Sequence, residues 1–386
     1  MTSAGELGQR ALDWLVARTE WDGSPTLYGG RAGVVLGLLE GHLALGDDRY
    51  ADAAMRGAEV LSAAVDEADD FSLYFGLTGV AFALHAVGEQ LDDPAAAAAS
   101  RRAMDRVRGA FDGERWGALF ELLGGNAGIA LGALRMGDDE LAVLAVEPYL
   151  RRAEPTGAGV TWQHRPGVEA RLHHISHGAL GIVYALAAVG RPDFLAAALA
   201  GAAEVVSRDE AGPDGFLVPH SDPPWRPEVN QRYSYGWCHG PTGDAQVFRL
   251  LAAVTGDRAW TGLVERCWHT VTHSGLPGRL RPGFWDNSGR CCGTAGVLAL
   301  ACDLGDREFG RVLVDDLAAR ATETADGVCW SNFEHRVTPS DLPPEPGWAM
   351  GNAGIARELL RYDRLVAGGR PDYYYVTWPD QLPVGG

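Results

Sequence analysis

Trp237-Cys238-His239-Gly240-Pro241-Thr242-Gly243 and Arg290-Cys291-Cys292-Gly293-Thr294-Ala295-Gly296 share one frame, in which cysteine stands two residues ahead of a Gly-x-x-Gly element. The same element recurs at Gly30–Gly33, Gly76–Gly79, Gly125–Gly128, Gly178–Gly181 and Gly351–Gly354, seven copies in all. Successive copies start between 46 residues (30 to 76) and 62 residues (178 to 240) apart. A period of that size accommodates one helical hairpin with its loops, the mark of a repeat architecture.

Outward from each copy the pattern is helical. Apolar stretches follow the glycines, as in Val34–Leu45, Val80–Val87, Ile182–Val189 and Val297–Leu304. Between them lie amphipathic segments with charged faces: Ala4–Arg18, Ala51–Val65, Pro94–Ala110, Glu140–Ala153, Asp193–Val206, Asp257–Val271 and Arg307–Ala321. The spacing predicts fourteen helices, an apolar class suited to an inner ring and an amphipathic class suited to an outer layer. Strand signals are confined to 215–218 and 373–378. Glycine weakens a helix, so seven repetitions imply a geometric need for close approach at the helix starts. Inner helices starting at one rim would aim unpaired N–H groups at a shared opening, lined by the residues just before each Gly-x-x-Gly. The long connections 156–171, 207–236, 273–290 and 325–348 run into that rim and mark it as the binding face.

A chain of 386 residues could hold two or three domains, but an end-to-end repeat argues for one closed body over residues 1–386. All 33 basic residues are arginine, which excludes Schiff-base lysine chemistry, the P-loop lysine and the kinase strand lysine. A net charge of −18, with the acids dispersed, disfavours nucleic acid and anionic membrane as partners. The N-terminus lacks a basic region followed by an apolar stretch, and apolar runs such as 178–190 are too short to span a bilayer. The expectation is a cytoplasmic protein whose six cysteines are not a disulfide framework. Cys267, Cys302 and Cys329 read as small core residues.

Four side chains of the fifth and sixth repeats could bind a soft or borderline metal: Cys238, His239, Cys291 and Cys292. Three thiolates around zinc leave a fourth position open, the catalytic arrangement, whereas an iron–sulfur cluster would want a fourth cysteine. A free thiol is only a few per cent ionised at neutral pH, while a metal-bound one is deprotonated outright. Three anionic sulfurs blunt the Lewis acidity of the ion. That suits activation of a substrate thiol better than sharpening of a water, and it points to thiol addition to an electron-poor partner. His177, directly before Gly178, can exchange a proton at the rim, and Glu121, four residues before Gly125, can orient such a group. His173 and His174 read as structural. Paired rim carboxylates, Glu121 with Asp244 and Asp286, would instead suit a toroidal glycosidase.

The seven Gly-x-x-Gly elements, Trp237-Cys238-His239-Gly240, Cys291-Cys292-Gly293 and Ser176-His177-Gly178 together resemble the lanthionine synthetase C-like (LanC-like) cyclases over nearly the whole chain. The resemblance implies an all-α fold, an α/α toroid of seven inner and seven outer helices. It implies a Zn2+ cofactor and addition of cysteine thiols to dehydroalanine or dehydrobutyrine in a dehydrated precursor peptide. By position, Cys238 and Cys291 fall on the family's cysteine ligands, and Cys292 falls where most members carry a ligand histidine. His177 matches the catalytic histidine and Glu121 the place of a catalytic aspartate. An arginine that many members carry four residues before the first zinc cysteine is Ser234 here, with Arg232 nearby. His239, Arg232 and Asp286 are expected behind the ligands or facing substrate. A separate dehydratase enzyme is implied as a partner. Two alternatives share the scaffold: addition of glutathione or another small thiol to dehydroamino acids, and a non-catalytic scaffold for peptide biosynthesis.

Overall fold

Seven α-helices open at the first glycine of a Gly-x-x-Gly: α2 (Arg31–Leu45), α4 (Leu77–Gln90), α6 (Asn126–Arg135), α8 (Ala179–Val189), α10 (Pro241–Thr255), α12 (Thr294–Leu304) and α14 (Asn352–Val366). Seven more alternate with them along the chain: α1 (Ala4–Val16), α3 (Asp48–Ala64), α5 (Pro94–Gly109), α7 (Asp139–Arg152), α9 (Pro192–Val206), α11 (Arg258–Thr272) and α13 (Arg307–Arg320). These are seen in a computed structural model that describes residues 3–18, 23–278, 287–334, 336–371 and 373–381. Each inner helix packs against the next, and α14 closes on α2. Each outer helix lies on one inner partner, α1 on α14 completing the second layer. The fold is the expected all-α α/α toroid.

Local chemistry explains the alternation. Inner helices are buried on nearly every side, whereas an outer helix such as α11 buries only Leu263, Val264, Cys267 and Val271. Four inner helices end on a left-handed glycine, Gly46, Gly190, Gly256 and Gly305, which only glycine adopts cheaply. In three of these the next residue, Asp47, Asp257 or Asp306, caps the following outer helix by accepting a first-turn N–H. The hairpin turn is thus written into a Gly-Asp pair.

The glycines answer to close approach. A Cβ on Gly243 would lie 1.9 Å from the Trp237 carbonyl oxygen, and one on Gly79 would lie 2.0 Å from that of Leu73. Each incoming loop therefore folds flat over the first turn of its own helix. Flattened this way, the seven loops bond to one another through the residue two places before each copy. Tyr28 N–H donates to Tyr74 O (2.9 Å), Tyr74 to Leu123 (3.1 Å), Leu123 to Ser176 (3.3 Å) and Ser176 to Cys238 (3.3 Å). Cys238 donates to Cys291 (3.4 Å), Cys291 to Ala349 (2.8 Å) and Ala349 back to Tyr28 (2.8 Å). A closed ring of seven backbone hydrogen bonds runs around the rim and fixes where those seven side chains project.

Three features depart from the sequence reading. The short strands form two-stranded ribbons at 154–155 with 160–161, 171–172 with 221–222, 322–324 with 327–329, and 332–333 with 341–342, not at 215–218 or 373–378. In both expected segments side chains occupy the backbone groups a strand would offer. Phe216 N–H donates to Thr270 Oγ1, Leu217 N–H to Asp209, and Val376 N–H to Glu40. The inner ring is also not uniformly apolar. Arg249, Arg290, Arg357 and Arg361 meet Glu40, Asp303, Glu358 and Asp380 inside it, with Arg361–Glu358 at 2.6 Å, Arg361–Asp303 at 2.7 Å and Arg357–Glu40 at 3.0 Å. The segment 373–381 threads into this network. Arg357 binds Val376 O (3.2 Å) and Gln381 Oε1 (2.8 Å), and Trp378 stacks on Trp348 at 4.9 Å.

Candidate functional site

Cys238 and Cys291 occupy equivalent places in the backbone ring, so their side chains project from neighbouring loops into one opening. Cys292 follows directly. Cys238 Sγ stands 3.2 Å from Cys292 Sγ, which stands 3.4 Å from Cys291 Sγ, and all three sulfurs lie within 4.8 Å of one another. They are buried and free of disulfide bonds. Tetrahedral sulfur ligands at about 2.3 Å from zinc stand roughly 3.8 Å apart, so Cys292 would move from its two sulfur neighbours by roughly 0.4–0.6 Å to accept the ion. Burial pushes the Cys238 and Cys292 thiols well up. At Cys291, hydrogen bonds with Cys238, Cys292 and the Tyr28 hydroxyl (3.4 Å) overcome burial and hold the thiol well below its ordinary value. Unaided, the pocket favours one thiolate; a divalent cation would hold all three.

The loop carrying the pair is anchored from beneath. Arg290 bonds Glu358 at 3.2 Å and lies over the rings of Trp237 (5.6 Å) and Trp348 (5.4 Å). The buried ionic network therefore ends directly under Cys291.

Beside the sulfurs stands a layer of imidazoles. His177 Nδ1 lies 3.3 Å from Glu121 Oε2; Glu121 is fully buried, while the His177 side chain is a third exposed. Both Glu121 oxygens are fixed, one by Leu123 N–H (2.6 Å) and the other by Gly124 N–H (3.0 Å). Burial lowers the His177 pKa, but the charge and hydrogen bond of Glu121, aided by Cys291, outweigh it and raise the value above 6.5. The surrounding rings go the other way. Desolvation takes His164 and His173 down to about 4 and His220 to about 3, and it lowers His239 strongly. Of these five rings, His177 is the one whose pKa is raised.

The other expected residues fall as follows. His239 does not join the sulfur cluster; its ring stacks on His220 at 4.3 Å and Nε2 lies 3.4 Å from Ser176 Oγ. Arg232 is exposed and bound to Glu210 (2.5 Å), and no contact joins it to the sulfurs. Asp286 lies outside the described residues. His173 Nδ1 bonds Pro219 O at 2.8 Å, and His174 forms a fully buried pair with Asp244 at 2.8 Å. Sequence reading missed Tyr28 and His220. Tyr28 was recoverable, because it holds in the first repeat the register that Cys238 and Cys291 hold in theirs. His220 comes from a long loop whose path no periodicity encodes.

A family model described as lanthionine synthetase C-like protein matches residues 22–209 and 225–313, spans that include Glu121, His177 and the three cysteines. The chain belongs to this family. Among solved structures, this LanC-like chain is similar to nisin cyclase, with 16% identity, a TM-score of 0.63, and coverage of 94% of this chain and 99% of that chain. An unsaturated glucuronyl hydrolase specific for heparin (10% identity, TM-score 0.50, covering 94% and 96%) and the cellobiose 2-epimerase from Spirochaeta thermophila (13%, 0.50, 95% and 96%) share the toroid as well. At these identities the shared property is the fold. Sequence comparison with curated proteins gives no match. Among the described residues of the LanC-like chain, no helix is long and apolar enough to cross a membrane.

Proposed function

We propose that this chain, as one toroid domain over residues 1–386, is a zinc-dependent lanthipeptide cyclase. It joins cysteine thiols to dehydroalanine or dehydrobutyrine of a precursor peptide, making lanthionine or methyllanthionine bridges, on substrate dehydrated by a separate enzyme. The observation that carries this reading is the meeting of three buried sulfurs from two equivalent loops beside a histidine paired with a buried carboxylate that raises its pKa. Membership in the LanC-like family and the fold shared with nisin cyclase support it.

Cys238, Cys291 and Cys292 would hold the zinc, which when bound would supply the chemistry that keeps a substrate thiol as its thiolate at neutral pH. The sulfur forms a bond to the β-carbon of the dehydro residue, and the alkene π electrons move toward the α-carbon and its carbonyl. His177 delivers a proton to the α-carbon, and the thiol proton leaves to solvent, so the addition balances without an oxidant or reductant. Glu121 acts through His177. It holds Nδ1, which directs Nε2 at the opening, and its charge favours the protonated imidazole.

The reaction leaves mass unchanged, so it is read by the loss of thiols that an alkylating reagent can label. Zinc-loaded protein should consume the cysteines of a dehydrated precursor, and His177→Ala should slow this by roughly a hundredfold to ten-thousandfold. Thiols that stay labelled under conditions where an authentic cyclase consumes them would end this reading. A mass gain of one glutathione per dehydro residue, in its presence, would transfer the protein to small-thiol addition.

A further inference from the structure

Beside the imidazole layer opens a cavity of about 420 Å³, walled by Pro219, His220, Trp225, Pro227, Val229 and Arg232. Its loop is held in shape by its own bonds. Ser221 Oγ donates to Pro223 O (3.0 Å) and accepts from Trp225 N–H (2.9 Å), and Asn230 Nδ2 donates to Trp225 O (2.9 Å). The ribbon of 171–172 with 221–222 ties the loop to the rim. Arg226 turns it at φ 49°, a left-handed conformation that a bulky residue adopts only under constraint. The cavity is therefore preformed, as ligand sites usually are.

Its wall combines apolar surface from Trp225, Val229 and three prolines, which lack an N–H, with polar side chains that include Glu228, Asn230 and Gln231. His220, more than nine-tenths buried, lines it and has an Nε2 with no hydrogen-bond partner among the described residues. The same ring forms the shared partition with the site: it stacks on His239 at 4.3 Å, and His239 lies 5.6 Å from His177. Those two ring-to-ring steps are spanned by roughly three residues of extended peptide. The two spans matched by the LanC-like family model omit residues 210–224, which carry Pro219 and His220.

We propose that this cavity is a specificity pocket for the peptide substrate, receiving an apolar side chain about two to four residues from the reacting cysteine. The proposal rests on the cyclase reading for its ligand, and its test is independent of turnover. Short fluorescein-labelled peptides carry one cysteine, no dehydro residue, and Leu, Asp or Lys at the flanking positions, and their binding to zinc-loaded protein is followed by anisotropy. Leu peptides are expected to bind roughly tenfold tighter than Asp peptides, the effect of burying one aliphatic side chain. Trp225→Ala and Val229→Asp should each erase that preference while leaving zinc content unchanged. Equal binding of Leu and Asp peptides by the unmodified protein would overturn the proposal. So would a preference that survives in both variants, or one for Lys, which would assign the pocket to Glu228. Failure of the cyclase reading appears separately, as an apolar preference in a protein that leaves dehydrated precursor unchanged.

Discussion

The contact that sets the His177 imidazole is the Glu121 carboxylate at 3.3 Å. A general acid works below its pKa, so activity should fall as pH rises through the His177 value, which lies above 6.5. Replacing the carboxylate by an amide removes the charge that raises this value. In Glu121→Gln the alkaline limb of the kcat/KM profile should therefore move to lower pH, with a smaller loss at acid pH. An unmoved limb would separate Glu121 from the protonation of His177. The grouping of the three cysteines with His177 at one rim was legible because chemistry-bearing residues sat at fixed offsets from a repeated element. The reach of Glu121 was legible as a place near the rim, though not as a 3.3 Å contact, since that depends on how the loop of residues 119–125 folds over α6. His220 and Trp225 act through tertiary approach, and their own neighbours in sequence announce nothing.

Between neighbouring elements, the decisive contact is each loop lying flat on its helix start. At Gly243 a methyl group would meet the Trp237 carbonyl at 1.9 Å, and Trp237 adjoins Cys238. Gly243→Ala should therefore destabilise the protein by roughly 1–3 kcal/mol in urea unfolding and weaken zinc retention in chelator competition. Gly262, within the outer helix α11, has open space where its Cβ would go, and Gly262→Ala should stabilise by about 0.5–1 kcal/mol. Equal effects at the two sites would contradict the close-approach argument. Helix count and layering were legible from period and amphipathicity, since both are properties of consecutive residues. The rim ring of hydrogen bonds and the irregular course of 373–378 were not, because there the partners lie far away in the chain.

For the molecule as a whole, closure of the toroid creates an interior that the sequence shows only as scattered charges on inner helices. Asp303 sits there between Arg361 and Arg249; burial works against its charge, but the two guanidiniums prevail and lower its pKa to about 2. A carboxylate lowered in this way contributes stability above its unfolded value, and that contribution is lost as pH falls from about 4 to 2. Asp303→Ala should destabilise by roughly 3–5 kcal/mol at neutral pH, because two buried arginines lose their counter-charge. Its deficit against the parent should shrink in acid, as measured by denaturant titrations at several pH values; a deficit independent of pH would argue against the ionic role. Arg290 links this interior to the cysteine loop, so the rim is only as ordered as the ring beneath it. The proposed function rests in the end on the capacity of the three sulfurs to share one ion. Elemental analysis of the purified protein beside a Cys291→Ala, Cys292→Ala double variant tests this most directly. One zinc per chain in the parent and none in the variant is the expected result; a parent without metal, or a variant that keeps its full complement, would contradict it.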